Sequence, residues 1–409
     1  MSAGHFLQQR CGWCLSIFLS ASVFGGFECD ARPPGSAPYA KRIQFLNKNE
    51  ITQIRLHLSH PLRISVFSLP SPYRLILDLP TVDFAAIQGA SPGKHTLIQA
   101  FRAGLIAPNQ SRLVLDMHKP FKLMDVRAKE DAGDSIIILD IAAIKAISFR
   151  PQGVPPRLSR SAALQGLKPS SAEKGNTRFV IIVDPGHGGT DPGAIGKSRL
   201  MEKDIVLSVA VRLARVLGAK QHYKVVLTRD EDVFVSLDDR VALARSHEAD
   251  LFISLHADAV AIASNAGKIQ GASIYTLSRI ASDDRAEALA EKENASDVLA
   301  GLPIAPSSAR GRIEAILFDL MRRETADFSF RLREHLLRRL RHSIRMSRSP
   351  RRSANFRVLR QPETPSVLIE LGYMSNTQDV RELIKPRWQE RAAKAIALAV
   401  DAYFGEIRR

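Results

Sequence analysis

Apolar positions follow two different rhythms along the chain. Between about Lys41 and Ile147 they alternate with polar positions, as in half-buried strands. Three segments there echo one another, RLHLSHP from Arg55, RLILDLP from Arg74 and RLVLDMHKP from Arg112, and each closes on a proline. SIIILDI (135–141) adds a further strand, and helical periods are few. The pattern predicts a small all-β sandwich over 41–147. It holds no cluster of His, Glu or Asp, so it reads as a structural unit without chemistry. Residues 148–177 are rich in Pro, Ser, Gly and basic residues and lack apolar periodicity, the signature of a linker.

From Phe179 the rhythm alternates between strands and helices. FVIIVD (179–184), YKVVLTR (223–229), DLFISLHAD (250–258) and PSVLIELG (365–372) read as strands. Between them, Ile205, Val206, Val209, Leu213, Val216 and Leu217 form one face of a helix from Glu202 that ends at Gly218. SLDDRVALARSHE (236–248), Ile313–Leu340 and Trp388–Phe404 predict further helices. Unbroken apolar strands between amphipathic helices imply an α/β domain over 178–409, a mostly parallel sheet flanked by helices.

Composition then narrows the class. The 409 residues suffice for two domains, and 45% hydrophobic content is ordinary for globular cores. A net charge of +16 points to an anionic partner. The N-terminus carries Arg10, an apolar run CGWCLSIFLSASVFGGF and then ECDARPPG, which fits a secretory signal peptide over 1–31 with cleavage after Ala31. The run is short for a spanning helix, and no other stretch reaches that length, so no integral membrane segment is expected after cleavage. Cys11, Cys14 and Cys29 all fall in this leader. The mature chain is then free of cysteine, and a metal in it must rely on nitrogen and oxygen ligands. Export also argues against nucleic acid as the partner.

VDPGHGGTDPGAIGKS (183–198) is the most distinctive stretch. Its closing Gly-Lys-Ser imitates a phosphate-binding loop, but the first glycine of that motif falls on Asp191, whose carboxylate repels phosphate. Arg199, Leu200 and Met201 also separate the loop from the helix. A metal fits better. His187 follows the strand FVIIVD, His256 ends the strand DLFISL, Glu370 ends PSVLI, and Glu202 stands in the first turn of the helix after the loop. Ligands of open α/β sheets collect beyond the carboxyl ends of strands. Two histidines and one carboxylate leave zinc an open position for water, and a second carboxylate is available as a base. Gly186, Gly188 and Gly189 are read as clearing space around the metal.

DPGHGGTDPGAIG, the following EKDIVL, ISLHAD and VLIELGYMSN together resemble the zinc N-acetylmuramoyl-L-alanine amidases of bacterial cell-wall turnover, from about Arg178 onward. Residues 41–147 resemble the AMIN targeting domain of the same enzymes, whose nearest type is the periplasmic AmiA/AmiB/AmiC group that splits daughter cells. The resemblance implies that His187, Glu202 and His256 bind one Zn2+ and that Glu370 is the catalytic base. It further implies cleavage of the amide between the lactyl group of N-acetylmuramic acid and L-alanine in peptidoglycan. A monomeric, periplasmic enzyme at the division septum follows, with an activator of the degenerate LytM type. The alternative is a non-catalytic wall-binding protein that keeps the fold.

Residues 280–300 carry Ala286, Leu289, Ala290 and Val298 as a modest apolar stripe. Read plainly, this is a solvated amphipathic helix. The resemblance makes it an autoinhibitory helix whose glutamate takes the open zinc position, Glu293 or alternatively Glu291. RLREHLLRRLRHSIRMSRSPRRS (331–353) is read as an arginine-rich helix face followed by a loop.

Overall fold

The computed structural model describes residues 37–131, 134–153, 178–196, 199–259, 269–302 and 312–407. The segment expected as a signal peptide, with its cysteines, most of the expected linker, and Lys197-Ser198 lie outside these residues.

The alternating segments become two four-stranded antiparallel sheets. One has the order β1-β2-β8-β7, from β1 (Ala40–Lys48), β2 (Ile51–Leu58), β7 (Phe121–Asp131) and β8 (Asp134–Ala143). The other has the order β3-β4-β6-β5, from β3 (Ser65–Leu69), β4 (Arg74–Pro80), β5 (Ile98–Ala107) and β6 (Gln110–Met117). Period-two alternation turns Leu75, Leu77, Leu113 and Leu115 inward against Ile54, Leu56, Leu139 and Ile141 of the facing sheet. Phe149 joins this core beside Tyr73 and Phe121, with ring centroids 4.8 and 5.7 Å away.

The second half contains a six-stranded sheet of order β10-β9-β11-β14-β12-β13. Its strands are β9 (Phe179–Pro185), β10 (Tyr223–Leu227), β11 (Leu251–His256), β12 (Ala272–Leu277), β13 (Met346–Ala354) and β14 (Ser366–Glu370). β10, β9, β11 and β14 are parallel, whereas β12 runs antiparallel to β14 and β13 runs alongside β12. Helices α1 (Glu202–Gly218), α5 (Arg312–Leu340) and α7 (Pro386–Ile407) cover one face through Val209, Leu213, Leu332, Leu336, Ile396 and Val400. Helices α2 (Leu237–Ser246) and α3 (Asp284–Asn294) pack on the other with Phe252, Tyr275 and Phe356. The short helices α4 (Ser296–Leu299) and α6 (Thr377–Leu383) complete the elements used below. Ser236 caps α2 by accepting from Asp239 N at 3.1 Å, which ends the preceding loop where the sequence places the helix start.

The arginine-rich run is not a helix followed by a loop. Its helical part ends at Leu340, and residues from Met346 form the edge strand β13. An edge strand tolerates Pro350 and gains protection from charged side chains. Arg352 is buried and paired with Asp283, while Arg351 meets Glu334 at 2.8 Å.

The β sandwich touches the second half along β5. Leu105 bridges to Val233 and its carbonyl accepts from Phe234 N at 3.0 Å.

Candidate metal centre

His187 leaves β9 in a left-handed backbone conformation, φ +58°. Two buried arginines hold that turn. Arg229 donates to the carbonyls of Pro185 and Gly186 at 3.0 and 2.8 Å, and Arg240 donates to those of Pro185 and His187, both at 2.8 Å. The Arg240 guanidinium is fixed in turn by Asp184, which also accepts from Thr228 Oγ1 and Ser254 Oγ at 2.6 and 2.7 Å. Burial pushes the Asp184 carboxyl up, but Arg240 and the two hydroxyls outweigh it and hold the group below the usual range.

Asp191 orients the imidazole. Its Oδ2 lies 2.9 Å from His187 Nδ1, so Nε2 is left to face the site, while its Oδ1 accepts from Gly193 N at 3.1 Å. The carboxylate that spoils the phosphate loop thus serves the histidine, a role the sequence reading did not assign. The His-x3-Asp spacing within a turn was the available signal.

Glu202 is the first residue of α1, where the helix dipole favours a carboxylate. It is fully buried; Oε2 accepts from Ala194 N at 2.8 Å and Oε1 from Ala257 N at 2.7 Å. Burial opposes its charge, yet His187 and His256 outweigh that and keep its pKa well below normal. His256 closes β11 directly opposite Glu370 at the end of β14. Glu370 Oε2 accepts from Asp258 N at 2.9 Å, and its Oε1 is buried without a partner. Burial, with Glu202 and Asp258 close by, raises the Glu370 pKa well above the ordinary value.

The last member comes from α3. Asp283 caps this helix, accepting from Arg285 N and Ala286 N at 3.1 Å each. Ala286, Leu289 and Ala290 pack into the core, and Glu293 continues the same stripe one turn further. A carboxylate on the buried stripe of a helix is the sequence signal that separates it from Glu291, which is exposed. Lys292 beside it pairs with Asp258.

Four atoms now face a common point. His187 Nε2 lies 3.2 Å from Glu202 Oε1 and 3.3 Å from Glu293 Oε2; His256 Nδ1 lies at the same two distances from those oxygens. Ligands bound tetrahedrally to zinc at about 2.0–2.1 Å stand about 3.3 Å apart. Both ring nitrogens are buried and have no hydrogen-bond partner. Such orphaned donors and acceptors are costly unless something binds them. The donor set and its spacing therefore fit zinc. None of His187, Glu202, His256, Glu293 and Glu370 is more than 6% exposed, so the centre is closed.

The glycines divide their work differently from the sequence reading. A Cβ on Gly186 would lie 2.4 Å from the His256 ring, and one on Gly193 would lie 2.7 Å from both Glu202 Oε2 and His187 Cδ2. These two leave room for the side chains of His256, Glu202 and His187. Gly188 and Gly189 instead accommodate the Val233 carbonyl and the Leu105 carbonyl.

The model of the N-acetylmuramoyl-L-alanine amidase family matches residues 181–402, and that of the AMIN domain matches 42–141. The chain is 28% identical over 376 residues to the N-acetylmuramoyl-L-alanine amidase AmiC of Escherichia coli O6:H1, covering 87% of each chain. It is 30% identical to AmiC of Neisseria meningitidis serogroup B over 90% of each chain. With AmiA of Escherichia coli K12 it shares 37% identity over 58% of this chain and 80% of that one. A matched catalytic region, a matched β domain before it and relatives aligned across both leave one assignment: the chain belongs to the N-acetylmuramoyl-L-alanine amidase family, as an enzyme with an N-terminal AMIN domain.

Proposed function

We propose that this chain is a zinc-dependent cell-wall amidase that splits the bond between the lactyl group of N-acetylmuramic acid and L-alanine of peptidoglycan, and that it is held inactive by its own α3. The observation that carries this reading is the pair of buried imidazole nitrogens, without another partner, each 3.2 Å from Glu202 Oε1 and 3.3 Å from Glu293 Oε2.

His187, His256 and Glu202 would hold the ion, and Glu293 would take the fourth position. A bound zinc supplies Lewis acidity, which lowers the pKa of a water and polarises the amide carbonyl. Asp191 holds His187 in the tautomer that presents Nε2. The Asp258 N–H holds Glu370 Oε2, leaving Oε1 free to take a proton from the attacking water and hand it to the leaving L-alanine amine. A non-catalytic wall binder has no use for such a group. With Glu293 in place, no substrate carbonyl or water can enter, so α3 must move before the reaction starts. The AMIN domain and the AmiC relatives support a periplasmic enzyme. A signal peptide over 1–31, a septal position and an activator of the degenerate LytM type belong to the same proposal.

Mass analysis of purified peptidoglycan after digestion is the test. Zinc-loaded protein with α3 displaced by Glu293→Ala should release free stem peptides and leave glycan strands intact, and a chelator should stop it. Glu370→Ala should retain stoichiometric zinc without releasing peptides. Release of muropeptides with cut glycan, or hydrolysis indifferent to chelator, would overturn the reading.

A further inference from the structure

The echoing segments RLILD and RLVLD of the β domain have a use that their alternation conceals. Arg74↔Asp116, Ile76↔Val114 and Asp78↔Arg112 are opposed across β4 and β6, all on the face turned away from the sandwich core. Each arginine thereby faces the other segment's aspartate. A polar outer face of a sandwich is ordinarily solvated, yet Arg74 and Arg112 are each only 1% exposed. What covers them is the end of the segment that carries Glu293.

Helix α4 follows α3 with only Ala295 between them. Its final carbonyls have no partner within the helix and form the negative end of its dipole. Three guanidinium groups of the β domain take carbonyls of this helix end and of the turn just beyond it. Arg74 Nη1 donates to Val298 O, Arg102 Nη2 to Leu299 O at 2.9 Å, and Arg112 Nη1 to Gly301 O at 2.9 Å. Aspartates fix two of the three from behind. Asp78 holds Arg112 through contacts of 2.6 and 2.8 Å, and Asp116 holds Arg102 through contacts of 2.7 and 3.0 Å. Burial lowers the Arg74 pKa, but only to about 10, so it stays a cation at neutral pH. Gly301 lies in the left-handed region, φ +76°, directly over the apolar centre of the face. A Cβ there would stand 2.8 Å from Ile76 Cδ1 and 3.2 Å from Val114 Cγ2.

We propose that the outer face of sheet β3-β4-β6-β5 is a docking surface for residues 298–301 of the same chain, and that by gripping this helix end the AMIN domain clamps Glu293 into the metal centre. The consequence for activity rests on the occluding role of Glu293 proposed above; the docking itself does not. The wall-targeting domain is thereby also part of the lock. Whatever draws this face away from residues 298–301 frees the α3–α4 segment at its C-terminal end. Other ties hold the segment too: the Lys292–Asp258 pair, Asn294 accepting from Arg357 N at 2.6 Å and donating to Asn355 O at 2.9 Å, Asp297 accepting from Leu237 N at 2.9 Å and meeting Arg357 at 3.1 Å, the Asp283–Arg352 pair at the cap, and the packing of Ala286, Leu289 and Ala290.

Hydrogen exchange on the full zinc-loaded chain, read at the backbone amides of residues 287–299, tests the docking without reference to activity. Arg74→Ala with Arg102→Ala leaves the Arg112–Asp78 pair intact. Gly301→Val keeps all three arginines and wedges the interface apart. Each should speed exchange by about tenfold or more, the factor expected for losing a single charge-assisted hydrogen bond. Each should also raise peptidoglycan hydrolysis without activator, and neither should add to the hydrolysis of a Glu293→Ala background. Wild-type exchange in folded forms of both variants would overturn the docking; should the arginine pair fail to fold, Gly301→Val decides alone. Fast hydrolysis by Glu293→Ala with no rise in the docking variants would overturn the clamp. Faster exchange with unchanged hydrolysis in the docking variants and in Glu293→Ala would instead uphold the docking and remove the occluding role of Glu293.

Discussion

Asp184→Asn should be among the costliest single-atom-scale changes in the catalytic half. The carboxylate is 1% exposed, and it neutralises Arg240, which is itself buried. An asparagine of the same shape can still accept a hydroxyl, but it leaves the guanidinium without a counter-charge in a dry site. Removing one partner of a buried pair costs about 3–5 kcal/mol, a large share of a typical stability of about 5–15 kcal/mol. In urea unfolding followed by the near-ultraviolet signal of the catalytic half, a slope of about 2–3 kcal/mol per molar gives a midpoint lower by roughly 1–2 M. The pH dependence gives a second check. Because the folded Asp184 pKa lies below the unfolded value of about 4, its contribution is complete above that pH and is lost as pH falls through the folded value. The gap between wild type and variant should therefore be flat from about pH 5 to 8 and close below about pH 4. Adding Arg240→Met should recover stability by removing the unpaired charge, yet leave the His187 carbonyl without its donor and zinc binding impaired. A gap under about 1 kcal/mol at neutral pH, or one that widens on acidification, would refute the reasoning.

Three further outcomes are expected. Asp191→Asn should weaken zinc binding by about 10–100-fold in competition with a chromophoric chelator, since the His187 tautomer loses its anionic partner; unaltered affinity would mean that the turn alone orients the ring. Gly193→Ala forces a left-handed alanine against Glu202 and His187, so metal analysis should find well under one zinc per chain. A full complement would show that the loop can yield there. Leu213→Ala opens a void between α1 and the sheet and should cost about 2–5 kcal/mol by thermal unfolding, with a smaller loss indicating that neighbours collapse into the space.

Elements with a clear period were legible from sequence. The apolar faces of α1 and α7 and the runs of β9, β11 and β14 announce themselves because burial on one or both sides dictates every residue. Edge strand β13 was not legible, because its outward positions are free to be arginine and its pairing depends on β12, a partner distant in sequence. His187, Glu202, His256 and Glu370 could be placed because strand ends and a helix start fix where they point. Asp191 was harder to place, since a glycine-rich turn has no period and only the His-x3-Asp spacing points to its target. Similarly, alternation shows that Arg74 and Arg112 leave the sandwich core, but it cannot show that a helix end covers them.

The order of the catalytic sheet has a bearing on how the protein matures. β14 inserts between β11 and β12, so the strand that arrives late in the chain occupies the middle of the sheet. Until residues 366–370 arrive, β11 lacks its neighbour and its hydrogen-bonding groups lie open. His256 then has no Glu370 opposite it, and the two halves of the sheet have nothing to join them. On the proposed mechanism this guards against premature activity separately from any inhibitory helix, because Glu370, the proposed base, is carried by the very segment that welds the sheet. The same arrangement exposes a growing chain to edge-to-edge association with its neighbours, a hazard that ends only when the weld is made.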